Sequence, residues 1–182
     1  ESNVAGTFNV AIGANTLDAD TLGTKTVAIG IDALKNQNFT TNTDTYNVAM
    51  GYNAGYAVTT GTQNTLLGSL SGDAVTTGIQ NVAVGMNSLG ALTDADYNVA
   101  VGAYALDADT KGSQNTAIGY GTLSAQNLTT ATDSLNTAVG YLAGLSVTTG
   151  IRNTLIGGNS GDSITDADNN TAVGFNTLID NV

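Results

Sequence analysis

Four Asp-x-Asp pairs are the densest grouping of reactive side chains in the sequence: Asp18/Asp20, Asp94/Asp96, Asp107/Asp109 and Asp166/Asp168. Alternate residues of an extended segment point the same way, so each pair could offer two carboxylates to a hard cation such as Ca²⁺. The spacing lacks the Gly-rich nonapeptide of calcium-binding rolls, and the simpler reading is an acidic turn that keeps a repetitive surface soluble and unaggregated. Paired carboxylates also cleave glycosidic bonds, but that chemistry needs one carboxyl of raised pKa in a cleft. The one Glu is Glu1 and the Asp pairs fall in turns. The chain is therefore read as non-enzymatic, with no catalytic, cofactor-binding or metal-ligating residue assigned.

The remaining candidates are weaker. The absence of His removes the commonest general base and metal ligand, and the absence of Cys excludes disulfides and thiolate sites. Asn38-Phe-Thr and Asn127-Leu-Thr are glycosylation sequons on expected surface loops, meaningful only in a host with that machinery. Thr59–Thr60, Thr76–Thr77 and Thr148–Thr149 resemble the threonine ladder of an ice-binding solenoid. Asp94, Lys111 and Asp166 break that column with charge. Lys25, Lys35, Lys111 and Arg152 are scattered through a chain of net charge −11, so nothing can track a phosphate backbone and nucleic acid is not an expected partner. Apolar runs reach about five residues, too short to insert in a membrane as helices.

These residues sit on a repeat. The anchor N-[VT]-[AL]-[IVLM]-G begins at Asn9, Thr26, Asn47, Asn64, Asn81, Asn98, Asn115, Asn136, Asn153 and Asn170, spaced by 17 or 21 residues. A longer period of 89 residues lies above it: the Asn9 coil recurs from Asn98, and the two 21-residue coils begin at Thr26 and Asn115. Residues 1–182 thus read as one domain of ten coils.

Coils of 17 residues are too short for helical solenoids, and β-branched residues bracketed by Asn and Gly are poor helix material. The expected fold is all-β, a parallel β-solenoid, with two short strands and two turns per coil. In the second strand Val58, Val75, Leu92, Val147 and Ile164 should point inward and Thr outward. The anchor strand is apolar on both sides, as in strands buried on both faces. Val10 and Ile12 and their equivalents are expected to fill the coil. Ala11, Ala28, Ala49, Ala83 and Ala100 would then form a smooth outer face that seeks a partner. The Asn column reads as a stacked amide ladder and the Gly column as a place of positive φ or close packing.

N-V-A-I-G-A-N-T-L, N-V-A-M-G-Y-N-A-G and N-T-A-V-G-Y-L-A-G resemble the head repeats of trimeric autotransporter adhesins and similar repeats of phage tail fibres. The resemblance covers essentially the whole chain, although the coils are longer than the most familiar adhesin-head coils. It implies a left-handed roll, three chains side by side and an extracellular place on a cell or virion surface. The expected role is structural: a unit of an extracellular filament or fibre that self-associates along its axis and laterally. The alternative is a receptor- or glycan-binding head, for which the exposed aromatics Tyr52, Tyr56, Tyr120 and Tyr141 are the candidates. Asn170–Val182 and Glu1–Phe8 together have the length of a long coil, so the units are expected to join end to end, covalently or by stacking, with Phe8 placed like Tyr46 and Leu135.

Overall fold

The computed structural model describes residues 6–179. All regular structure in them is β, and the ten anchor strands form one parallel sheet in strict chain order, from Val10–Ile12 to Thr171–Val173. Every strand is in register with the next, so Val10 lies beside Val27, Ala11 beside Ala28 and Ile12 beside Ile29. At about 4.8 Å per strand, ten coils stack to roughly 48 Å. The chain is a β-solenoid of ten coils.

The Asn column does bind the coils together, but chiefly from side chain to backbone. Asn64 Nδ2 donates to the Gly78 carbonyl of its own coil at 2.8 Å, and Asn64 Oδ1 accepts the Asn81 backbone N–H of the next at 2.9 Å. The same pair of bonds recurs from Asn47, Asn81, Asn98, Asn136 and Asn153, with the long coils as variations. Between successive asparagines of this column, direct amide–amide bonds occur only at Asn115–Asn98 and Asn170–Asn153 among the described residues. Each of these asparagines is a staple: one half closes a coil, the other joins it to its neighbour.

The Gly column supplies both properties expected of it. All ten anchor glycines have φ between 130° and 144°. A Cβ on any from Gly13 to Gly157 would come within 2.7 Å of the next glycine's carbonyl group. Contact this close admits no side chain.

The faces of the anchor strand are the reverse of the sequence expectation. Ala28, Ala49, Ala83, Ala100, Ala117 and Ala138 are completely buried inside the coils, whereas the Val10 and Ile12 places face outward. The reason is volume. Across the narrow interior, the ninth residue of the coil is Leu where the third is Ala, as in Ala83/Leu89 and Ala100/Leu106. Where the third is Leu66 or Leu155, the ninth is Gly72 or Gly161. A Cβ on Gly72 would meet Leu66 Cδ2 at 2.7 Å. In the coils just before these, Ala49/Gly55 and Ala138/Gly144 are small on both sides. Leucines from both neighbouring coils lean in, Leu34 and Leu66 around Gly55.

The second strand is also corrected. Val58, Val75, Leu92, Val147 and Ile164 do point inward. Their backbone N–H groups, however, close tight turns three residues back, as Val58 to the Gly55 carbonyl at 3.0 Å. The ladder on this side is carried instead from the following threonine, such as Thr76 N–H to Thr93 carbonyl at 2.7 Å. Only beside the long coils does this side form short strands, Gly23–Thr24 with Thr43–Asp44 and Gly112–Ser113 with Thr132–Asp133.

The same interior column becomes polar at the long coils. Asp20 and Gln37, and again Asp109 and Gln126, are fully buried where other coils carry Val, Leu or Ile. Gln126 Nε2 donates to Asp109 Oδ2 at 2.6 Å, and its Oε1 accepts Asn136 Nδ2 at 2.8 Å. Gln37 links Asp20 to Asn47 in the same way. Asn47 and Asn136, which follow the long coils, keep their own carbonyl partners, Gly61 and Gly150, and gain the buried glutamine as a second acceptor.

The end-to-end junction rests largely on residues 1–5 and 180–182, which lie outside the described residues. Phe8 itself has φ 62°, matching Tyr46 at 51° and Leu135 at 54°, and the Thr7 carbonyl accepts the Lys25 N–H at 3.1 Å. Thr7 and Phe8 therefore hold the last two places of a coil.

Two outcomes test this architecture. Asn81→Ala should cost about 2–4 kcal/mol, because a buried N–H and a buried carbonyl both lose their partner. Hydrogen exchange read at Asn98 should show protection lost there before it is lost two coils away. Leu66→Ala should destabilise by about 2–5 kcal/mol. Adding Gly72→Leu, which copies the Ala83/Leu89 arrangement, should raise the melting temperature back above that of the single variant. A double variant less stable than Leu66→Ala would mean that the large–small exchange does not govern core packing.

Candidate functional site

Reversal of the anchor strand puts the larger apolar side chains on the outside. Val10, Val27, Val48, Val82 and Val99 form one outward column, with Thr in the other five coils. Ile12, Ile29, Met50, Leu67, Val84 and Val101 begin the second, which runs on to Val173. Neither column contains a charge, in a chain with 15 acidic and 4 basic residues. Ile12, Met50, Ile118 and Ile156 are each at least 40% exposed. The strip is continuous, because hydrogen-bonded strands in register hold it, and it repeats at the strand spacing. Its area, taken as the length of a three-residue strand by ten strand spacings, is on the order of 500 Å².

A shoulder of aromatics borders the strip, one residue past the anchor glycines. Tyr52, Tyr120 and Tyr141 share this coil place and are at least half exposed, while Tyr56 lies at the tenth place of its coil. Tyr120 stacks on Tyr141 with ring centres 5.7 Å apart, and Tyr104 meets Tyr120 edge-on at 5.9 Å. Tyr104 escaped the sequence reading because it sits one coil place later than Tyr120; aligning the coils by length alone separates the two rings that the structure joins.

The Asp-x-Asp pairs do not converge. Asp20 and Asp109 turn inward to the buried glutamines and to the Gly23 and Gly112 N–H groups, while Asp18 stays exposed and Asp107 half-buried. Asp96 Oδ1 accepts the Ile79 N–H, and Asp94 pairs with Lys111 at 3.3 Å. Asp168 Oδ1 accepts the Ile151 N–H, and its other oxygen lies 3.8 Å from Arg152. Asp20, Asp94, Asp96, Asp109 and Asp168 thus have separate structural partners rather than a shared focus. Among the described residues no three acidic side chains gather around one point.

The threonine column is engaged as well. Thr59, Thr76, Thr93 and Thr148 each donate their hydroxyl to a carbonyl of the next coil at 3.0–3.2 Å, while Thr60, Thr77 and Thr149 are exposed. Asn38 and Asn127 are exposed, each followed by a buried plug residue, Phe39 or Leu128. Their amide oxygens accept the hydroxyls of Thr21 and Thr110.

No protein-family model, no curated protein and no solved structure matches this chain, so its solenoid geometry and these two surfaces are the ground on which a function is argued.

Proposed function

We propose that this chain is a structural unit of an extracellular filament or fibre, in which solenoids continue along their axis and associate side by side through the outer face of the ten-stranded sheet. The observation that carries this reading is the charge-free apolar strip of Val, Ile, Leu, Met and Thr. The largest apolar patch on a soluble monomer, of about 300–600 Å², is often functional, and this strip is such a patch, kept free of charge over all ten coils. The occupant that fits is a second copy of the chain. A strip with one ridge per coil is matched in register by a surface of identical spacing, and another solenoid of this sequence has it. Lateral pairing also leaves the acidic turns at the rim, in solvent, where their mutual repulsion is screened.

Axial growth follows from the same geometry. A parallel sheet ends in strands whose N–H and C=O groups have no partner on one side, and such edges template further pairing. Thr7 and Phe8, in the last places of a coil, give the register in which a preceding coil would meet the Asn9 coil. A receptor-binding head remains the second reading, supported by the exposed tyrosines at one coil place; solvent-facing aromatics are common anchors of recognition surfaces.

Substitutions on the two faces separate packing from assembly. Val101→Lys should place an ammonium in the middle of the outward strip. It should dissociate laterally assembled material in sedimentation velocity while leaving the circular dichroism spectrum unchanged. Thr77→Lys, beyond the strip and on the side of the inward Val75, should leave the size distribution as it was. Ala100→Lys should unfold its coil, since it buries a charge in the core. If Val101→Lys assembles as the unmodified chain does, the apolar strip is not the lateral interface.

A further inference from the structure

The two halves of the solenoid offer an internal comparison at the aromatic shoulder. Positions 89 residues apart occupy equivalent places, so Asp18 corresponds to Asp107, Asp32 to Gly121 and Lys35 to Ser124. In the first half the place is filled from within. Lys35 Nζ lies 2.9 Å from Asp32 and 5.8 Å from the centre of the Tyr56 ring, and the charge of Asp18 adds to its stabilisation. An ammonium held by carboxylates over an aromatic face is a favourable arrangement that the chain itself uses.

In the second half that ammonium and its paired carboxylate are both gone, replaced by Ser124 and Gly121, while the outer carboxylate is kept as Asp107. The aromatic surface is rearranged, with Tyr104 in place of Asn15 and Tyr120 in place of Ile31, while the place of Tyr56 is taken by Leu145. What remains is a groove of about 400 Å³ lined by Tyr104, Asp107, Tyr120 and Ser124 and closed at one side by Leu142. Gly121 opens it: this coil place carries a side chain in the other nine coils, and a Cβ here would meet Leu142 Cδ2 at 2.7 Å. Asp107 is left uncompensated. One of its oxygens is buried without a hydrogen-bond partner among the described residues. Burial pushes its carboxyl above the usual range, offset in part by its own backbone N–H and the Asn87 amide. The chain has no cation to spare for it, because Lys25, Lys35, Lys111 and Arg152 are paired with Asp44, Asp32, Asp94 and Asp168.

We infer that the Tyr104–Tyr120–Asp107 groove binds an alkylammonium group supplied from outside the chain, either a lysine side chain of another protein or a free primary amine. The bound nitrogen sits by the Asp107 carboxylate against the Tyr104 and Tyr120 rings, with its alkyl stem along Leu142 and Leu145. This inference does not rest on the filament reading, since the groove lies on the shoulder and not on the outward strip.

The test is an NMR titration of the intact chain at fixed ionic strength with n-butylammonium, with N-acetyl-lysine methylamide and, as neutral controls, with n-butanol and methyl glucoside. Both ammonium probes should shift the Tyr120, Gly121 and Ser124 resonances saturably, with a dissociation constant on the order of 1–10 mM for so small a ligand. Tighter binding of the capped lysine marks a protein partner as the source, and equal binding marks a free amine. Asp107→Asn should weaken binding at least tenfold. The double variant Gly121→Asp/Ser124→Lys copies the first-half pair, so it should keep its melting temperature and lose the titration altogether. Equal shifts from methyl glucoside or butanol would overturn the inference in favour of a sugar-binding or merely apolar groove. So would undiminished ammonium binding by both variants.

Discussion

Everything in this fold depends on how closely one coil can lie on the next, and that distance is set by a backbone contact. At the Gly column successive carbonyls stand where a side chain would otherwise be, so the coils approach to the strand spacing and the parallel ladder can form. The Asn staple then uses the proximity. Its amide oxygen takes a backbone N–H of the coil above while its NH₂ takes a carbonyl of its own coil, so one side chain satisfies two buried backbone groups that the corner would leave without partners. A β-sheet normally secures only its strands; here the corner is secured as firmly.

The narrow interior across each coil dictates the core in a similar way. Two layers of chain this near each other leave room for about one large side chain between them, and the third and ninth residues of each coil divide it. Ala with Leu and Leu with Gly are two solutions to one volume constraint. The double-small coils at Ala49/Gly55 and Ala138/Gly144 survive because neighbouring leucines lean in. The same shortage of space forces left-handed backbone at non-glycine residues. The residue before every anchor has φ between 51° and 62°, whether it is Phe8, Lys25, Gln63 or Arg152. Each such residue costs about 1–2 kcal/mol, which the ladder and the staples on either side must offset.

The architecture was legible because it is periodic: Asn and Gly at fixed spacing located all ten strands, and Val58, Val75, Leu92, Val147 and Ile164 were correctly placed inside. The orientation of the anchor strand was not legible from hydrophobicity, since Ala and Val columns are both apolar and the larger seems the better filler. The deciding signal was correlated size. Leu66 and Leu155 sit in the Ala column, and the ninth residue shrinks to Gly in those same coils, which only an interior contact explains. Asp20 and Asp109 were misread for a related reason. Taken as neighbours of Asp18 and Asp107 they look like paired ligands, whereas aligned by coil they stand in the column of Val58 and Val75. Tyr104 and Gly121 became meaningful only when the two 89-residue halves were laid over one another.

The buried Asp–Gln pairs carry a consequence for how such a chain finds its fold. Ten nearly identical coils can be stacked in many wrong orders, skipping one or pairing two from different molecules, with almost the same ladder bonds each time. A skipped coil would set Asp109 against Val or Leu and leave Gln126 without its carboxylate, stranding polar groups in a dry interior. Asp20 with Gln37 and Asp109 with Gln126 therefore act as index marks along an otherwise uniform scale. They penalise miscounting where the repeated anchors cannot, and they confine tolerable stacking errors to shifts of a full 89-residue period.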